Sequence, residues 1–166
     1  MTVVELAMAE DKIEEVESEP LIIRPAEEHE LDVALRMIIR FVEESEYKDV
    51  GKVHAQTFYH TLEQMVWQED QVLFYADRGG QIVGLIAMVV YRHPIFSTLE
   101  AMELAWWVEP EHRHGHAGRK LYAAAEAWSK DKRAVAISML APNTKIEELY
   151  MKWGFRKLET VYRKFL

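Results

Sequence analysis

The stretch Trp106-Trp107-Val108-Glu109-Pro110-Glu111-His112-Arg113-His114-Gly115-His116-Ala117-Gly118-Arg119-Lys120-Leu121 decides the reading of this chain. An apolar run from Leu99 to Val108 ends at Glu109-Pro110, a glycine-containing turn follows, and Leu121, Ala124, Ala125 and Trp128 then recur at helical spacing. A strand that passes through a turn into a helix gathers unpaired backbone N–H groups and the positive end of a helix dipole at one spot. That spot favours an anion. Gly115 and Gly118 let a ligand approach the backbone closely, while Arg113, Arg119 and Lys120 add positive charge. Alone, the turn is compatible with a phosphate or pyrophosphate site and equally with a junction that carries glycine for steric reasons, so its neighbours must decide.

Upstream, Val72 to Ala76, then Asp77-Arg78-Gly79-Gly80, then Ile82 to Tyr91 read as a β-hairpin whose glycines supply positive φ. Arg92-His93-Pro94 breaks the second strand, and Leu99 to Val108 extends the meander. Before it, Leu31, Leu35, Ile38 and Val42 form one helical stripe, and Phe58, Leu62 and Met65 or Val66 form another between about Val53 and Trp67. Leu21 to Arg24 is a short strand-like run. Downstream, Ala134 to Leu140 is strand-like, and Ile146, Leu149, Tyr150 and Trp153 give a further helical stripe. Thr144 and Glu147 match a capping box at its start, and Gly154 stands where a C-terminal glycine belongs. Thr160 to Phe165 closes the chain as a strand. The expected order, β-α-α-β-β-β-α-β-α-β, builds a mixed α/β (α+β) sheet with helices on its faces.

The chain's 166 residues suit one core rather than two. Residues 1–20, rich in glutamate and ending at Pro20, read as an acidic solvated arm, and 21–166 as the domain. The absence of cysteine excludes disulfides, thiolate catalysis and cysteine-ligated metal sites. The longest apolar stretch, Gln81 to Tyr91, is too short to span a membrane, and the acidic N-terminus does not resemble a signal peptide. A cytoplasmic protein is the default expectation. A net charge of −8 opposes general nucleic-acid binding and suits a cationic partner.

The turn, its strand and the later segment Asn143 to Phe155 together resemble the GNAT acetyltransferase family. The family's cofactor loop reads Arg/Gln-x-x-Gly-x-Gly/Ala after a strand often ending Val-x-Pro, and Arg113 to Gly118 follows that frame except that His116 stands at the fourth position in place of glycine. The run Glu103-Leu104-Ala105-Trp106-Trp107-Val108-Glu109-Pro110-Glu111-His112-Arg113 matches, at every fixed position, one common among small acetyltransferases of phage genomes. Asn143 and Leu149-Tyr150-Met151-Lys152-Trp153-Gly154-Phe155 are similar to a third family segment. The resemblance implies acetyl-CoA as cosubstrate and direct attack by a primary amine on a small molecule, peptide or modified base. It implies cofactor contacts from Arg113, His114, Gly115, His116, Ala117, Gly118, Arg119 and Asn143, and from the backbone of Trp107 and Val108, which would polarise the thioester. It also sets the Tyr150 hydroxyl against the cofactor near the CoA sulfur as the candidate general acid, and makes Glu103 the candidate base. A regular strand would put Glu103, Ala105 and Trp107 on one face unless a bulge intervenes.

Each of these residues also has a plainer reading: Tyr150 as a half-buried helix tyrosine, Asn143 as a turn or cap residue, Glu103 as a solvated or ion-paired strand residue. Glu43, Glu44, Glu46 and Asp49 suit a cationic acceptor or merely a solvated helix end. His112, His114 and His116 alternate, and in an extended segment they would converge on a metal beside Glu109 or Glu111. Pro110 and the glycines favour a turn, where such alternation brings no side chains together. A CoA-binding module without turnover is the other alternative. Trp106, Trp107, Trp128 and Trp153 fall on predicted sheet and helix faces and read as core and pocket walls rather than a base-stacking surface. Oligomeric state stays open, a homodimer included.

Overall fold

A computed structural model describes residues 19–164. Its elements are β1 (Leu21–Pro25), α1 (Leu31–Glu44), α2 (Ala55–Trp67), β2 (Gln71–Arg78), β3 (Gln81–Arg92), β4 (Leu99–Val108), α3 (Ala117–Asp131), β5 (Ile137–Ser138) and α4 (Thr144–Lys152). They form one mixed sheet of order β1-β2-β3-β4-β5, antiparallel up to β4 and parallel between β4 and β5. The expected order of elements holds through α4. Most of the acidic arm lies outside the described residues.

The hairpin forms where its glycines demand it: Gly79 and Gly80 take φ of +59° and +87°, and the Asp77 carboxylate accepts from the Gly80 N–H at 2.8 Å. The stripes of α1 and α2 bury Leu31, Ala34, Met37, Ile38, Leu62 and Met65 against Leu73, Tyr75, Leu85, Ala87, Ala105 and Trp107 on one sheet face. On the other face α3 sets Ala117, Leu121 and Ala125 against Ala76, Val83, Ile86 and Met88. Alanines in α3 allow the close approach, as does Gly84: a Cβ there would stand 2.8 Å from the Trp107 carbonyl oxygen.

The structure corrects the sequence-based expectations at the C-terminal side of the sheet. The strand expected over Ala134–Leu140 is reduced to Ile137–Ser138, paired with Ala101 and Met102. The strand expected at Thr160 to Phe165 does not form in Thr160–Lys164, where Val161 and Tyr162 are exposed, and Phe165 lies outside the described residues. A strand needs a ladder to extend, and two paired residues of β5 offer almost none. At α4 the cap is Asn143, whose Oδ1 accepts from the Ile146 N–H at 3.1 Å, one residue before the expected capping box at Thr144. The helix ends as expected on Gly154, at φ +88°, with Phe155 N–H on the Tyr150 carbonyl and Gly154 N–H on that of Met151.

Candidate functional site

An irregularity in β4 shapes the site. Ala105 pairs with Ala87 and Glu103 with Met88, so Leu104 is an extra residue on β4, a β-bulge. One added residue reverses the alternation of side chains. Ala105 and Trp107 therefore face α1 and α2, whereas Glu103 shares the α3 face with Met88 and Ala101. The exception allowed for in the expectation that Glu103, Ala105 and Trp107 share a face is met: a bulge intervenes and separates Glu103 from the other two.

On its new face Glu103 is only 6% exposed and its Oε2 accepts from the Leu140 N–H at 3.1 Å. Burial pushes its carboxyl up to about 7, with the Leu140 N–H pulling the other way. The Tyr150 hydroxyl donates to the carbonyl of the same residue at 3.2 Å. One peptide segment after β5 is therefore held from both sides, its N–H by Glu103 and its C=O by Tyr150. Burial raises the Tyr150 phenol, and the Glu103 charge adds to this, so the hydroxyl stays protonated at neutral pH. Trp106 stacks on Tyr150 at 6.3 Å between ring centroids and 12° between planes, and tilts against Trp153 at the same separation.

Glu103 takes the place that a further rung of the β4–β5 ladder would occupy. The ladder stops at Met102 and Ser138, so among the described residues the β4 edge from Leu104 to Val108 carries no strand partner on that side. The edge leads to the turn before α3. There a 3-10 turn at Pro110–His112 brings the chain to His116, which precedes α3 with φ −88° and ψ 0°. No side chain caps α3, so the N–H groups of its first turn, Ala117 to Arg119, have no acceptor among the described residues. His116 sits in a conformation open to any residue, and a Cβ at Gly118 would only touch Trp106 at 3.4 Å. Neither position needs glycine to fold.

The basic side chains divide. Arg113 donates from Nε to the Val108 carbonyl at 2.9 Å, pairs with Glu44 of α1 at 3.2 Å, and lies 4.4 Å over the Trp107 ring. It belongs to a tie between α1 and the end of β4, reinforced by the Arg40–Glu109 ion pair and by Phe41 packing edge-on to Trp107. Lys120 donates to the Leu21 carbonyl at 3.0 Å, and Arg119, His114 and His116 are exposed. Among the described residues no three imidazole or carboxyl groups are placed to share a metal ion, and no helix is long and apolar enough to cross a membrane. Glu44, one of the acidic residues considered for a cationic acceptor, is committed to Arg113.

Sequence reasoning assigned no role to Gly84, the Leu140 peptide or Arg78. Arg78 faces the α3 side two residues after buried Ala76, and its Nη2 lies 3.7 Å from where a Cβ of Gly115 would stand. Only its position beside the Gly-Gly turn hints at it in the sequence. The indole N–H groups of Trp106 and Trp107 are buried without an acceptor among the described residues.

Residues 38–155 match the sequence profile described as the Acetyltransferase (GNAT) family. No curated protein sequence matches the chain. Among solved structures, the aminoglycoside N-acetyltransferase AAC(6')-Iy in complex with CoA is 18% identical, with a TM-score of 0.73 over 89% of this chain and 96% of that one. Glucosamine-6-phosphate N-acetyltransferase from Arabidopsis thaliana is 14% identical, with a TM-score of 0.69 over 89% and 99%. An acetyltransferase of Trypanosoma brucei is 19% identical, with a TM-score of 0.70 over 89% and 100%. At these identities the likeness is one of fold.

Proposed function

Because the chain belongs to the acetyltransferase (GNAT) family, we propose that it transfers an acetyl group from acetyl-CoA to a primary amine. The observation that carries the reading is the open edge of β4 running straight into the uncapped first turn of α3, with Tyr150 beside it. An extended acyl-pantetheine can hydrogen-bond along such an edge while its pyrophosphate takes the α3 N–H groups and the helix dipole. The donor set suits a diphosphate: backbone N–H groups of Ala117 to Arg119 and nearby cationic side chains, in a chain that is otherwise acidic. Asn143 is a cap residue, and its side-chain NH2 is left for a cofactor contact.

In this reading the amine nitrogen attacks the thioester carbon, the C–N bond forms and the C–S bond breaks with its electron pair on sulfur. The protonated Tyr150 hydroxyl is the donor for that leaving sulfur. The proton lost by nitrogen passes through water to Glu103, whose raised pKa puts a base near neutrality. The bulge turns Glu103 to the α3 side of the sheet, and the Leu140 peptide joins it to Tyr150. Two of the structural relatives are named as N-acetyltransferases of aminoglycosides and of glucosamine-6-phosphate, and by that analogy the acceptor is a small molecule. The phage-type subclass rests on the run Glu103 to Arg113 alone.

Calorimetry with CoA, followed by thiol release from acetyl-CoA over a panel of amines, tests the proposal. Binding together with amine-dependent release supports it. Binding without release to any amine favours a CoA-binding module, and no binding refutes the reading.

A further inference from the structure

We propose that Arg78, at the end of β2, is an arginine that binds the phosphates of the cosubstrate, a role that Arg113 is not free to fill. The inference rests on the acetyl-CoA reading above and deepens it.

Around the turn before α3, most basic side chains are already committed. Arg113 is held by the Val108 carbonyl, the Glu44 carboxylate and the Trp107 ring. These contacts use its Nε and Nη2 and place the Glu44 carboxylate next to its charge. Lys120 has one of its three donors on the Leu21 carbonyl, and Leu21 is the direct ladder partner of Arg78. Arg78 differs. Its Nε is buried with no acceptor, and it enters no ion pair among the described residues. The adjacent carboxylate of Asp77 is taken by Arg24 at 2.9 Å and by the Gly80 N–H.

A buried guanidinium N–H without an acceptor is costly, and its common explanation is a partner that is a ligand rather than protein. The other end of the same guanidinium points to which ligand. Arg78 Nη2 lies beside Gly115, immediately before the uncapped first turn of α3, and Gly115 adds no side chain between them. Gly115 has no positive φ, and a Cβ there would make only ordinary contacts, 3.5 Å from the His112 oxygen and 3.7 Å from Arg78. Nothing in the protein's own packing requires glycine there. A planar guanidinium matches a phosphate with two parallel N–H donors, and helix N–H groups supply the rest of an oxyanion shell. The guanidinium that carries the orphaned Nε has its Nη2 beside Gly115, two residues before the uncapped start of α3. In a chain of net charge −8, Arg78 with Lys120 and Arg119 gives the local positive potential that a polyanionic ligand needs.

The test is calorimetry of the full chain with CoA and with pantetheine, which lacks the phosphates, at low and high salt. The variants are Arg78→Gln, Arg78→Lys and Arg113→Gln. Arg78→Gln is expected to weaken CoA about tenfold, to leave pantetheine within about twofold and to flatten the salt dependence, since one charged contact is lost. Arg78→Lys should fall between it and wild type, and Arg113→Gln should weaken CoA less than Arg78→Gln. Unchanged CoA affinity in Arg78→Gln, equal loss of CoA and pantetheine, or a larger effect of Arg113→Gln overturns the proposal. Wild-type protein that binds neither compound refutes the acetyl-CoA reading itself, a result distinct from the others.

Discussion

Replacing Glu103 by glutamine isolates the most consequential side chain of the site. The carboxyl is 6% exposed, faces Leu140, and is pushed from 4.5 to about 7 by burial. Between those values the native protein keeps a proton that the unfolded chain has lost, so the unfolded state binds fewer protons and stability falls as pH rises. At ~1.4 kcal/mol per pH unit, the whole window amounts to roughly 3 kcal/mol. Below 4.5 the group is neutral in both states, and above about 7 it is charged in both, so the loss is confined to the interval. Glutamine keeps an oxygen for the Leu140 N–H and cannot titrate. Urea unfolding of wild type and Glu103→Gln over a pH series spanning this window, with all other titrations common to both proteins, gives the difference directly. The wild type should lose about 3 kcal/mol relative to the variant on going from below 4.5 to above 7. Parallel curves would refute the claim that burial controls this carboxyl. In the same pair, a base role requires turnover to drop about a hundredfold or more and the pH-rate inflection near 7 to vanish. Full turnover in the variant would leave Glu103 as a prop for the Leu140 peptide alone.

Tyr150→Phe removes the phenol that donates to Leu140, and turnover should fall about a hundredfold or more while the CoA dissociation constant changes less than about threefold; steady-state kinetics alongside calorimetry reads both. Unchanged turnover would strip Tyr150 of the acid role. Gly84→Ala puts a Cβ 2.8 Å from the Trp107 carbonyl, so it should destabilise the fold by about 1–3 kcal/mol in thermal unfolding and shift the end of β4.

The fold was legible in the sequence wherever a local rule acts alone. Two helical stripes, a Gly-Gly hairpin, an alanine-rich helix and a glycine-stopped helix each follow from periodicity or from the φ that glycine permits, and they appear at their expected places. The family was legible because Glu103 to Gly118 and the later segment Asn143 to Phe155 together resemble its motifs, and the family profile matches residues 38–155. The short β5 and the coil at Thr160–Lys164 were not legible, since each depends on which partner is within hydrogen-bond reach.

Residue types and spacing by themselves therefore determined the kind of sheet, its covering helices and the location of the turn proposed to hold the cosubstrate's phosphates. The tertiary structure alone decided the chemistry at that turn. One extra residue at Leu104, visible only in the pairing of β4 with β3, moved Glu103 to the side of Tyr150. Folding brought Glu44 onto Arg113 and Arg78 under Gly115 across long separations in sequence. Periodicity describes where a side chain points within its own element. Which charges neutralise each other, and which buried donor is left without an acceptor, depends on distances between elements, and those exist only once the sheet and helices have packed.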